Sequence, residues 1–130
     1  MDDTPSGRES GRKAGASRRE AVERAEAYLR AHIHTRVPLA RVCRLVGLSE
    51  RGLRNAFYDV RGMSPQRWMR VERLRDAQRA LSQTVGRPTT VTGVATRYGF
   101  YELGRFAATY RNTFGEAPSE TLRGANRKSA

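Results

Sequence analysis

One pattern occurs twice in this chain, and that repeat restricts the fold more than any other feature. Leu39 pairs with Val91, Val42 with Val94 and Gly47 with Gly99 at an offset of 52 residues. Past the glycine the offset becomes 53: Leu53 pairs with Phe106, Phe57 with Tyr110, Gly62 with Gly115 and Pro65 with Pro118. Each copy reads as a short amphipathic segment, a glycine, a second amphipathic segment, a glycine and a proline. Apolar residues recurring at three- and four-residue steps mark helices. A glycine just past the last periodic residue fits a left-handed helix end. Proline suits the first turn of a new helix.

Two amphipathic helices joined by a short glycine-containing turn form a helix-turn-helix unit, so the repeat predicts two such units. The remaining segments fit around them. Over 18–34 the apolar residues Val22, Ala25, Leu29 and Ile33 predict a helix, with Ser17 as N-cap and Glu20 three residues on. Pro38 opens a short helix that buries Leu39, Val42, Cys43 and Val46. Ser49 caps the next helix, over about 50–61, with Leu53, Ala56, Phe57 and Val60 inward. Ser64 and Pro65 start a longer helix over about 65–82 with Trp68, Val71, Leu74, Ala77 and Leu81 on one side. A Ser/Thr/Gly/Pro loop over 82–90 leads to helices at about 91–98 and 102–113, and Pro118 opens a last short one. No segment reads as a strand, so the expected fold is all-α.

The expected organisation is a disordered tail or linker remnant over 1–17, one domain over 18–124 and a tail over 125–130. Within the domain the first helix-turn-helix spans about 38–61, the linker helix about 65–82 and the second helix-turn-helix about 91–114. A chain of 130 residues suits one such domain.

Charge narrows the function. The chain has 25 Lys and Arg against 13 Asp and Glu, a net charge of +12. Acidic and basic residues balance over 1–17, so the excess sits on 18–130. Such an excess points to a polyanion, above all nucleic acid. Lys13 and Lys128 are the only lysines. Arginine suits bidentate contact with phosphate and guanine edges.

Other classes find little support. No apolar run is long enough for a membrane span or a secretory leader. The single cysteine, Cys43, excludes an internal disulfide and a cysteine-rich zinc site, and fits a cytoplasmic setting. It falls on an apolar helix face and reads as core. His32 and His34 do not share a helical face, so no metal is expected, and no cofactor either. Trp68, Met69 and Val71 read as core packing. Asp59, Glu72 and Asp76 lie among arginines and read as ion pairs. No phosphate-cradling loop, paired carboxylates or nucleophile motif is present, so no enzymatic activity is expected.

In a helix-turn-helix the second helix enters the major groove and its first residues reach the base edges. In the first copy the outward positions are Arg51, Arg54 and Asn55. Arginine can grip guanine and asparagine can pair with adenine. The matching positions of the second copy are Gly104, Ala107 and Ala108, which carry no side-chain donor. Arg105 is the long polar group near that helix start, and Leu103 suits contact with a thymine methyl. Tyr101 stands where the first copy has Ser49. The second copy is therefore expected to read few bases and to add backbone contacts and shape readout.

The segments L-A-x-x-C-x-x-V-G-L-S-x-x-x-L at 39–53, G-M-S-P at 62–65, R-L-x-x-A-x-x-x-L at 73–81, V-A-x-R-Y-G-F at 94–100 and F-A-A-T-Y-R-N-T-F-G-E-A-P-S at 106–119 resemble the DNA-binding domain of AraC/XylS-type bacterial transcription regulators. The resemblance covers about 18–124. It implies seven helices, two helix-turn-helix units on one long linker helix, and recognition helices in successive major grooves about 10 bp apart. Tyr101, Leu103, Gly104 and Ala108 depart from the family's usual capping and polar residues. The L-G-R-F variant at 103–106 resembles one branch of the family, whose members usually carry an N-terminal sensor domain. Its absence here makes the chain either a stand-alone regulator or the C-terminal part of a once longer protein.

The expected function is therefore a sequence-specific, double-stranded DNA-binding transcription regulator acting on promoter DNA. Arg51, Arg54, Asn55, Arg105 and Leu103 are the candidate base readers. Ser49, Gln66, Arg97, Arg111, Asn112 and Ser119 are the candidate phosphate contacts, partly through helix N-termini. RNA polymerase is a further candidate partner, and a monomer with two units suffices for two grooves. The alternatives are a protein-interaction module with an acidic partner and a non-specific architectural DNA binder using the same basic surface.

Overall fold

In the computed structural model, which describes residues 7–84 and 88–129 and the side chains of 18–84 and 88–127, the repeat's glycines set the helix ends. Gly47 (φ 74°), Gly62 (73°), Gly99 (91°) and Gly115 (81°) are the positive-φ residues among those described. At Gly47 and Gly62 the backbone is left-handed, where a Cβ would crowd the following carbonyl. The Gly47 N–H donates to the Cys43 carbonyl (2.8 Å) and the Leu48 N–H to the same oxygen (3.1 Å). The second copy repeats that closing bond, from the Phe100 N–H to the Ala95 carbonyl at 2.8 Å. These bonds satisfy carbonyls that a helix end leaves open.

Seven helices result among the described residues: α1 Gly7–Ala31, α2 Leu39–Val46, α3 Glu50–Arg61, α4 Pro65–Ser82, α5 Val91–Arg97, α6 Leu103–Phe114 and α7 Pro118–Ser129. No strand occurs among the described residues. The chain divides into two compact units, Met1–Met69 and Arg70–Ala130, with the boundary inside α4.

The first unit is built from α1, α2, α3 and the start of α4. Val22, Ala25, Leu29 and Ile33 meet Val42, Cys43, Leu53, Ala56, Phe57 and Met69 in one core. Val22, Val42, Leu53 and Phe57 are fully buried. Trp68 packs on this core half-buried, its ring edge-on to Phe57 with centroids 6.2 Å apart. Cys43 belongs to the same core. Burial pushes its thiol up, Glu50 adds to that and Arg54 opposes it, so the reactive thiolate is disfavoured.

The second unit packs the rest of α4 with α5, α6 and α7. Its core is Leu74, Ala77, Leu81, Val94, Ala95, Phe106 and Tyr110. A run of rings crosses it: Phe100 to Phe106 (4.9 Å), Phe106 to Tyr110 (5.7 Å) and Tyr110 to Phe114 (4.7 Å). The Tyr110 hydroxyl donates to Thr121 Oγ1 at 2.8 Å, and Thr121 in turn donates to Glu116. That chain leaves the buried phenol satisfied.

Three boundaries differ from the sequence reading. α1 begins at Gly7, so part of the expected tail over 1–17 is helical and Ser17 lies inside the helix, not at its cap; residues 1–6 fall outside the described residues. Extending a formed helix fixes one residue per hydrogen bond gained, so α1 runs on past Ser17 although Gly11 and Gly15 each cost about 1 kcal/mol against alanine. α7 runs to Ser129, through most of the expected tail over 125–130. Thr121 and Ala125, one turn apart, are buried, and Leu122 packs on the core of the second unit, so these residues dock the helix. Pro38 is the N-cap of α2, extended at ψ 134°, not its first helical residue.

Two outcomes follow for stability. Phe57→Ala empties a fully buried ring position and is expected to destabilise the protein by about 3–5 kcal/mol in urea unfolding. Burial raises the Tyr110 phenol above its ordinary 10.0, against the Thr121 hydrogen bond and with help from Glu116. A raised folded value means stability complete below pH 10 and falling as pH climbs through that value. Tyr110→Phe should flatten this alkaline loss in pH-dependent melting.

Candidate nucleic-acid interface

α3 is positioned by its cap and its buried face. Ser49 is extended (φ −71°, ψ 169°) and its Oγ accepts from the Gly52 N–H at 3.0 Å. A Cβ at residue 52 would lie 3.3 Å from that Oγ, so glycine leaves room for the cap. Leu53, Ala56 and Phe57 are fully buried. At 3.6 residues per turn, this commitment turns Arg51, Arg54 and Asn55 outward, and all three are exposed.

Their electrostatic states differ. Arg54 lies 3.6 Å from Glu50, one turn earlier, and both are about half exposed. Such a surface pair is weak and readily exchanged for a stronger anion. Arg51 has no ion-pair partner among the described residues. Arg61, at the far end of α3, is held by Glu26 of α1: its Nη2 donates to Oε1 at 2.8 Å and its Nε to the other oxygen. That hydrogen bond raises the Arg61 guanidinium.

Other arginines of the first unit are also structural. Arg24 donates to the Leu45 carbonyl at 2.7 Å, closing the C-terminal turn of α2. Arg18 pairs with Asp59. Sequence reasoning anticipated ion pairs for Asp59, Glu72 and Asp76, and the latter two pair with Arg75 (3.3 Å) and Arg79 (3.2 Å). It did not anticipate Arg18 as the partner of Asp59, because that contact joins residues 41 apart. Arg41 and Arg44 stand exposed on α2; helical spacing alone marks them as outward. Ser64 caps α4, accepting from the Arg67 N–H at 3.1 Å, and leaves Gln66 exposed on the first turn.

The second unit presents a different surface. The N-cap of α6 is Glu102, which makes no side-chain cap bond. The residue inserted at the turn therefore makes Glu102, not Tyr101, the counterpart of Ser49. Tyr101 is 77% exposed and lies near enough to act on Arg73, whose guanidinium burial lowers. Gly104, Ala107 and Ala108 are exposed, and a Cβ at residue 104 would meet nothing within 4 Å. Leu103 is 41% exposed. Arg105 and Asn112, seven residues apart, share one flank of α6, and both are exposed.

The remaining candidates are tethered or lie at helix starts. The Arg97 guanidinium stands 5.7 Å from the centre of the Tyr98 ring. Arg111 lies 3.4 Å from Glu120, whose carboxylate also accepts the Ala117 N–H at 2.6 Å. Ser119 is exposed on the first turn of α7. His32 is held locally, with Nδ1 2.9 Å from the Tyr28 carbonyl and its ring stacked on Tyr28. No group of three metal-ligating side chains occurs among the described residues. No described helix is long and apolar enough to cross a membrane.

Comparison with known proteins accords with this arrangement. A family described as a helix-turn-helix domain matches residues 42–124. A probable AraC family transcriptional regulator from Rhodopseudomonas palustris has a solved structure that is 42% identical, covers 82% of this chain and 97% of that one, and superposes with a TM-score of 0.77. The chain belongs to the AraC/XylS family. The probable thc operon regulatory protein of Rhodococcus erythropolis is 40% identical over 96 residues, which is 74% of this chain and 29% of that protein. The chain thus spans less than a third of that relative's length. The same fold occurs in the DNA-binding domain of AdpA, solved in complex with a target DNA, at 21% identity and a TM-score of 0.69 over 83% of this chain and 95% of that one. The relatives are named as transcription regulators, and the family's DNA-binding domain accounts for the fold.

The cap of α3 offers a direct check. Ser49→Ala removes the acceptor for the Gly52 N–H and should cost about 1 kcal/mol of stability in urea unfolding. Thr90→Ala at the start of α5, where Thr90 Oγ1 accepts from the Gly93 N–H at 2.9 Å, should cost a similar amount.

Proposed function

We propose that the chain binds double-stranded promoter DNA in a sequence-specific way and regulates transcription from it. The observation that carries this reading is the outward stripe of α3. Arg51, Arg54 and Asn55 stand on the first turns of a capped helix whose opposite face is locked in the core. They follow a left-handed glycine turn, in the place where a helix-turn-helix presents its reading residues. Arg51 and Arg54 suit guanine and Asn55 suits adenine.

The second recognition helix supports a weaker reading role. Leu103 suits contact with a thymine methyl, Arg105 assists from the flank, and Gly104, Ala107 and Ala108 add no side-chain hydrogen bonds. Gln66, Arg97, Arg111, Asn112 and Ser119, with Ser49, position the phosphates. A net charge of +12 favours rapid, salt-sensitive association with the duplex. The site of action is then the bacterial cytoplasm, a single copy suffices for an asymmetric site, and RNA polymerase is the protein partner that regulation would engage.

Selection from a random duplex pool, followed by a salt series on the winners, tests this. An enriched motif with one strongly and one weakly specified half is expected. Arg51→Ala should then lose about 1–3 kcal/mol on the winner and relax the preference at one base pair. Equal loss on winner and scrambled duplex would remove Arg51 from the readers. No enrichment, with binding that disappears as salt rises, would point to the architectural or protein-directed alternatives.

A further inference from the structure

The outward face of α3 carries one more large group. Tyr58 is 57% exposed, and among the described residues its hydroxyl has no hydrogen-bond partner. It stands seven residues after Arg51, just under two turns, so the two share one face of the helix, about 10 Å apart along its axis. The charged neighbours of Tyr58 are engaged elsewhere: Asp59 with Arg18 and Arg61 with Glu26. Arg54, four residues before Tyr58, is the exception: it is exposed and only weakly paired with Glu50, so it favours an anion beside the phenol.

The repeat supplies the second observation. Phe57 and Tyr110 are equivalent, and both are fully buried in their units. Tyr58 is therefore the counterpart of Arg111, at the same place on the same helix of the other unit. Each lies one residue past the deepest aromatic anchor, and each is exposed. One copy carries a cation there and the other a neutral phenol. What the two groups share is the ability to donate a hydrogen bond to a phosphate oxygen. They do not share the ability to read a particular base.

We propose that Tyr58 is a positioning residue for DNA: its hydroxyl donates to a backbone phosphate at the far end of the reading helix, the role proposed above for Arg111 in the second unit. This rests on the DNA-binding reading above. The contact fixes how deeply α3 sits in the groove and carries no sequence preference of its own. A neutral phenol displaces no counterion, so it adds affinity without adding salt dependence.

The test uses the full chain, the selected duplex and its scrambled form. Tyr58→Phe should weaken binding about 3- to 10-fold on both duplexes and leave the slope of log K against log salt unchanged. Tyr58→Arg should restore or exceed the original affinity on both and steepen that slope by about one phosphate contact. Since Tyr58 is exposed, urea unfolding should be the same for all three proteins. Unchanged binding by Tyr58→Phe would overturn the proposal. So would a loss confined to the selected duplex with relaxed preference at one base pair, which would make Tyr58 a reader. If the unsubstituted chain binds no duplex, the DNA-binding reading itself fails and Tyr58 falls with it.

Discussion

The arrangement of α3 depends on one commitment: Leu53, Ala56 and Phe57 are wholly withdrawn from solvent. A helix with 3.6 residues per turn has no freedom left once such a face is buried. Arg51, Arg54, Asn55 and Tyr58 must then point away from the core. The Ser49 cap and the Gly47 turn fix where the helix begins, so they fix which of these residues lie on its first turns. A candidate reading surface is thus the complement of a packing surface.

The arginines divide into two groups by the same logic. Arg18, Arg24 and Arg61 join α1 to the helices around it through carboxylates or a backbone carbonyl. Arg51, Arg41 and Arg44 remain on the solvent side. Net charge cannot distinguish these groups, because a guanidinium counts as +1 in either. Only acceptor geometry decides which cations are left to meet a polyanion.

The two copies of the repeat have diverged in opposite directions inside and outside. The second unit fills its core with the linked rings Phe100, Phe106, Tyr110 and Phe114, where the first relies on Leu53 and Phe57. Its recognition helix, by contrast, begins without a side-chain cap and exposes glycine and alanine. Core volume and outward chemistry are thus set independently, since they sit on opposite faces of α6. The Tyr110–Thr121–Glu116 chain ties α7 to that core and satisfies the one phenol that the packing buries.

Much of this was legible in the residues. Glycine is the residue that occupies a left-handed helix end without strain, so the repeat alone marks the four turns at Gly47, Gly62, Gly99 and Gly115. Apolar periodicity placed the helices and their inward faces for the same kind of local reason. The ends of α1 and α7 were not legible. Helix extension past Ser17 follows from cooperative propagation, and α7 docks through Thr121, Leu122 and Ala125, too short a pattern to mark where the helix ends. The two helix-turn-helix units and their buried anchors are encoded by spacing along the chain, and the excess of arginine by composition. That Arg61 and Arg18 serve the scaffold, that Glu102 rather than Tyr101 is the N-cap of α6, and that Tyr58 is left unengaged come from the packed fold. Each of those outcomes depends on which groups from distant segments arrive within hydrogen-bond reach.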